Sequence, residues 1–149
     1  MSLTFVPLIS SGVAGPLGIL HLPRLWQKVS LQAKGQLCPG YPDIGTGFDA
    51  MVLQALNLDA ESVRKFVKEE SPTYPQFESW VKEQAGVKID RATIDSLNAA
   101  LRDYNHSDTD RKTILSANGL SDEPPAPHDA IGLNNLEDWL EFHGRVLAA

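Results

Sequence analysis

Residues 45–80 read "GTGFDAMVLQALNLDAESVRKFVKEESPTYPQFESW", and local rules alone mark out three helices on them. Phe48, Met51, Val52, Ala55 and Leu56 recur at the spacing that lines one face of a helix. Asp59 can cap a second helix, with Leu58 and Val63 placed to clasp its first turn as a hydrophobic staple. Val63, Phe66 and Val67 are its inward face, and Ser71-Pro72 ends it. Thr73 and Gln76 have the spacing of a reciprocal capping box, and Pro75 is tolerated because first-turn N–H groups have no helical acceptor. Phe77, Trp80 and Val81 form the apolar face of this third helix, which should run to Gly86.

The same signals continue in both directions. Upstream, Leu22–Lys34 predicts a helix with Pro23 in its first turn, Leu22, Leu25, Trp26, Val29 and Ala33 on one face, and Gly35 as a stop. Arg24 and Lys28, four apart, share its polar face. Downstream, Asp90 opens a helix with Ile89 and Ile94 as a staple and Ile94, Leu97, Leu101 and Tyr104 as the stripe. Ser107 to Gly119 predicts another, with Ile114 and Leu115 buried and Leu120 packing after the glycine. Residues 121–132, "SDEPPAPHDAIG", read as a loop, and a last helix opens at Asn134, with Leu136, Trp139, Leu140, His143 and Leu147 on one side. No segment alternates as a long strand does; "GVKID" at 86–90 is too short for more than a brief pairing. The expectation is an all-α protein: one compact domain of about six to seven short helices over residues 21–149. Residues 1–20 form an N-terminal arm packed on the domain or on a partner.

A length of 149 residues fits one domain with its own core, and 42% hydrophobic with 21% charged residues is ordinary globular composition. The net charge of −6 is uneven: residues 1–58 carry +1 and residues 59–149 carry −7. An acidic surface does not neutralise phosphates, so no nucleic-acid partner is expected. The opening "MSLTFVPLISSGVAGPLGIL" lacks a basic start and is interrupted by Pro7, Ser10, Ser11 and Gly12, so neither a signal peptide nor a membrane span is expected. A single cysteine, Cys38, forms no internal disulfide and suits the cytoplasm.

Chemistry concentrates in "CPGYPDIGTGFD", Cys38 to Asp49. It is not a nucleotide loop: no Gly-Lys-Ser/Thr follows, and Gly45-x-Gly47 is neither preceded by a strand nor completed by a third glycine. The spacing predicts instead that Thr46 caps the helix, with the Asp49 carboxylate returning a bond to the Thr46 N–H. Gly45 and Gly47 then serve the backbone. Cys38 follows a helix C-terminus, where a thiolate is disfavoured, and reads as a small buried hydrophobe rather than a nucleophile. His21, His106, His128 and His143 are too scattered for zinc, and "DYNHSDTDRK" places Asp108 and Ile114 where a calcium loop needs glycine and glutamate. No metal or cofactor is expected. Arg24 and Lys28 can meet an anion or an acidic partner, against the simpler reading of a solvated helix face. Trp26, Trp80 and Trp139 read as core.

The segments "GILHLPRLWQKV", "GTGFD", "FESWV" and "LEDWLEF" resemble a bacterial family known as domain of unknown function 5069. The resemblance runs over about residues 15–147 and is carried by Leu22-Pro23-Arg24 with Lys28, and by Gly45, Gly47, Phe48 and Asp49. The chain departs from the pattern at Val81, where a cysteine is expected, and in the proline-rich stretch 124–127. The resemblance implies a small cytoplasmic helical protein and no particular activity.

The sequence therefore reads as an interaction or small-ligand-binding module without its own catalytic constellation. Its candidate contacts are Arg24, Lys28, Cys38, Tyr41, Gly45, Gly47 and Asp49. Two alternatives stand beside it: an enzyme or cofactor-dependent protein with a pocket near Cys38, Tyr41, Asp49 and His21, and a homo-oligomeric structural protein using the arm. The partner, protein or small molecule, is not specified by the residues.

Overall fold

The computed structural model describes residues 3–84, 86 and 89–149. Among them the chain forms seven α-helices: α1 (Leu22–Ala33), α2 (Phe48–Leu56), α3 (Ala60–Glu70), α4 (Tyr74–Glu83), α5 (Arg91–Asp103), α6 (Asp108–Ala117) and α7 (Ala130–Phe142). A π-helical turn, His143–Leu147, extends α7. Extended backbone pairs only at isolated bridges, and no sheet is present among the described residues. The fold is all-α.

Most helix starts are where short-range chemistry puts them. Asp59 accepts from the Ser62 N–H at 3.0 Å, Asp90 from Thr93 at 2.7 Å and Ser107 from Asp110 at 3.1 Å. At α4 the box is complete: the Gln76 N–H reaches Thr73 Oγ1 at 3.4 Å, and the Thr73 N–H reaches Gln76 Oε1 at 2.9 Å. α1 and α6 both end on a glycine in the left-handed region, Gly35 and Gly119, with the following N–H returning to Leu31 and Leu115 respectively.

Several boundaries and faces differ from the sequence reading; Tyr104, Leu120, Leu140 and Leu147 are exposed, and Ile114 is only half-buried. α7 starts at Ala130, not Asn134, because Asp129 caps it by accepting from the Gly132 N–H at 2.9 Å. Gly132 there disguises a first turn as loop. α4 ends at Glu83, before Gly86. The brief pairing suggested for "GVKID" rests on Val87 and Ile89, and Val87 lies outside the described residues. Trp139 is 57% exposed and is not core, whereas Trp26 and Trp80 are half-buried, Trp80 stacked on Phe66 at 4.6 Å.

The core lies where α1 packs on α3 and α4 and where α2 packs on α5, filled by Leu22, Leu25, Val52, Leu56, Val63, Phe77, Val81 and Leu101. α7 closes it from the side of α5 and α6. Residues preceding α1 are pinned to the helices. The Phe5 N–H donates to Gln36 O at 2.7 Å, and Asn98 on α5 accepts from the Leu20 N–H at 3.0 Å and donates to Gly18 O at 2.7 Å. Gly15 passes so close to α4 that a Cβ would lie 2.3 Å from Tyr74, which only glycine avoids.

Candidate functional site

α1 begins at an unusual residue. His21 precedes it with φ 71°, a left-handed conformation uncommon for a residue with a side chain. Its ring is held at both nitrogens: Nδ1 lies 2.9 Å from Ser11 Oγ and Nε2 lies 2.6 Å from Asp49 Oδ1. Burial is the largest influence on the ring and lowers its pKa, outweighing the pull of Asp49 in the other direction. A neutral ring facing a carboxylate keeps its proton on Nε2, so Nδ1 accepts from the Ser11 hydroxyl. These two bonds hold the backbone strain in place.

Asp49 is the centre of this cluster, and its role differs from the predicted cap. The residue before α2 is Gly47, and no side chain caps the helix. Thr46 is exposed, and the Asp49 carboxylate accepts from the Gly45 N–H at 2.8 Å, not from Thr46. Asp49 Oδ2 also pairs with Lys28 Nζ, and Oδ1 takes the His21 bond. Burial alone would raise its pKa; the bond from His21, the Lys28 charge and the Gly45 N–H together bring it down to about 2. The capping box fails because long-range partners outbid a local N–H for the same oxygens.

Arg24 and Lys28 are both buried, so the solvated-face reading is also corrected. Their polar side is covered by residues far away in the chain. The Arg24 guanidinium forms a fork on Asp138 of α7, with Nη1 to Oδ2 at 2.7 Å and Nη2 to Oδ1 at 3.1 Å, and Nη1 also donates to Pro7 O and Ile9 O. Tyr41 Oη donates to Asp138 Oδ1 at 2.9 Å. Burial raises the Asp138 pKa against the opposing pull of Arg24. Arg24 thus ties the arm, α1 and α7 together. The Lys28 side chain is 7% exposed, yet among the described residues its ammonium has one partner, Asp49.

These groups face a cavity of about 460 Å³, within the usual range for small-molecule sites. His21, Arg24 and Lys28 line it together with Tyr41, Pro42 and the 45–49 segment. Tyr104 and His106 from beyond α5, and Asn134, Glu137, Asp138 and Glu141 from α7, complete the lining. His106 Nε2 and Asn134 Oδ1 are 2.9 Å apart. At the start of α2 the N–H groups of Thr46, Gly47 and Phe48 have no acceptor among the described residues, and they carry the positive end of the helix dipole.

The cavity thus gathers six of the seven candidate residues: Arg24, Lys28, Tyr41, Gly45, Gly47 and Asp49. Cys38 is the exception. It is buried behind the wall, with Sγ 3.5 Å from Pro39 O and 3.7 Å from Glu141 Oε1, and burial raises its pKa. Ser11, His21 and Asp49 are joined in the order of a nucleophilic triad, but Ser11 is 1% exposed and does not line the cavity, so its hydroxyl is sealed from any substrate there. No group of three His, Cys, Asp or Glu side chains among the described residues is arranged to hold a metal ion. No helix among them is long and apolar enough to cross a membrane.

The sequence model of the domain of unknown function DUF5069 matches residues 10–129. The chain belongs to this family. No curated protein matches it. The family segment contains Ser11, His21, Arg24, Lys28 and Asp49, while α7, which supplies Asp138 and the acidic wall, follows it.

Sequence reasoning missed Ser11, Tyr104, Asn134, Glu137 and Asp138 as site residues, and held His21 only within an alternative. One signal was present: two cations on α1 among closely spaced Leu22, Leu25 and Val29 leave little room for both to reach solvent. Nothing local points from Arg24 to Asp138, 114 residues away.

Proposed function

We propose that this DUF5069 protein binds a small polar molecule in the cavity between α1, α2 and α7. The observation that carries the reading is Lys28: a buried ammonium lining the cavity with one partner among the described residues for three N–H donors. Leaving a buried cation short of acceptors costs free energy that a ligand recovers by supplying them. The uncapped start of α2 opens on the same space, and Phe48, Tyr41 and Tyr104 offer apolar surface around it. The role is binding rather than nucleophilic catalysis, because the side chains able to activate a nucleophile are engaged with each other and Ser11 and Cys38 lie outside the cavity wall.

A fragment screen read by amide chemical shifts of labelled protein tests this. Binding fragments should move the amides of residues 45–49, Tyr104, His106 and the first two turns of α7. Hits confined to other surfaces, such as the groove between Met51 and Ala100, would refute it.

A further inference from the structure

Resting on that binding reading, we infer that the cavity takes a zwitterion: a small molecule carrying a carboxylate or phosphate at one end and a protonated amine at the other. The charges on the cavity wall are not free to the same degree. Arg24 is spent on Asp138, Asp49 on Lys28 and His21, and Glu141 on Arg145. What remains in the lining is of two kinds. The donors are the two remaining N–H groups of Lys28, whose charge Asp49 already balances, and the Thr46, Gly47 and Phe48 amides at the positive end of the α2 dipole. The acceptor is Glu137 of α7, which makes no ion pair with a described residue.

A simple anion would satisfy the donors but face Glu137. A simple cation would satisfy Glu137 but leave the donors bare. A molecule with both groups satisfies both. Glu137 is an exposed member of that lining, and the desolvation it does undergo raises its pKa against the opposing pulls of His106 and Arg24. Phe48 and Tyr104, which also line the cavity, meet edge to face at 5.5 Å, and Tyr104 stands beside His106. This rim suits the flat or apolar body of such a molecule and can face its cation.

The test uses the full chain and three probes that differ only in charge: phenylalanine, phenethylamine and phenylpropionate, titrated at millimolar concentrations while amide shifts are followed. Phenylalanine is expected to bind about tenfold or more tighter than either relative, a gain of about 1.4 kcal/mol, and to move the amides of Thr46, Gly47 and Phe48. Glu137→Gln, at an exposed position, is expected to reduce phenylalanine to the affinity of phenylpropionate and leave phenylpropionate unweakened. Aminoethylphosphonate in place of phenylalanine distinguishes a phosphate-type from a carboxylate head. The proposal is overturned if phenethylamine or phenylpropionate binds in the cavity as tightly as phenylalanine, or if Glu137→Gln leaves their ratio unchanged; binding of that kind leaves the small-molecule reading intact. If no probe moves a cavity amide while uncharged fragments do, the zwitterion falls alone, and if nothing binds there both fall.

Discussion

Asp49→Asn is the sharpest test of the buried cluster, because the substitution keeps the shape while removing the charge and turning one accepting oxygen into an NH2 donor. Asp49 is 3% exposed, and its carboxylate serves His21, Lys28 and the Gly45 N–H at once. In the variant Lys28 becomes a buried cation without a counter-charge, a change that costs about 3–5 kcal/mol. That is a large share of a domain stability of about 5–15 kcal/mol. Urea unfolding at pH 7, followed by fluorescence of half-buried Trp26 and Trp80, reads the loss directly.

Acid unfolding supplies an independent magnitude for the same residue. The folded pKa of Asp49 is about 2 against 3.8 without the protein; at about 1.4 kcal/mol per unit this is worth about 2 kcal/mol. The sign follows from the direction. A depressed carboxylate contributes stability above pH 3.8, and that contribution fades as pH falls towards about 2. His21, whose pKa is also lowered, adds a loss that begins higher, as pH falls below 6.5. Asp138 and Glu137 run the other way, since raised carboxyl pKa values favour the folded state in acid. Subtracting the Asp49→Asn curve from wild type largely cancels them. The second variant needed is Lys28→Met in the Asp49→Asn background. Removing the stranded cation should recover at least about 1 kcal/mol, as contacting residues are non-additive. A loss below about 1 kcal/mol for Asp49→Asn at pH 7, or no recovery in the double variant, would refute the ion-pair account.

Thr46→Ala should be nearly neutral, within about 0.5 kcal/mol, because Thr46 caps nothing; a loss near 1 kcal/mol in the same urea assay would restore the capping box. Arg24→Met leaves Asp138 without its counter-charge and the carbonyls of Pro7 and Ile9 without their side-chain donor, and should cost about 3–5 kcal/mol. Hydrogen exchange should then speed up together in α7 and residues 5–10, and an effect limited to α1 would contradict the three-way tie. Cys38, buried and with its pKa raised, should react with a maleimide at neutral pH far more slowly than the urea-unfolded chain. Rapid labelling of folded protein would place the thiol at the surface.

Helix identity was legible because its determinants are close together in the chain. Asp59 with Ser62, and Thr73 with Gln76, are three residues apart, and Gly35 and Gly119 act within one turn. Such signals carry the all-α class and most helix ends without knowledge of the fold. Where they were misread, a local rule gave two answers: Gly132 looked like loop but sits in the first turn of α7, and Trp139 has core-like spacing on a face that nothing covers.

The site was legible as a set of residues but not as an arrangement. Arg24, Lys28, Tyr41, Gly45, Gly47 and Asp49 stood out by type and clustering, and they do share one cavity. Their pairings were out of reach. Asp49 had an acceptable local use at the start of α2, and only the packing of α1 against the 45–49 segment brings Lys28 and His21 within hydrogen-bond distance. Asp138 is 114 residues from the guanidinium it binds. A carboxylate takes the strongest donors that burial leaves beside it, and which donors those are is decided by how helices pack, not by what precedes or follows it in the chain. Short-range signals settle most helix starts, most inward faces and which polar residues are available. The tertiary structure decided which charges cancel, and so left Lys28, the start of α2 and Glu137 facing the same cavity.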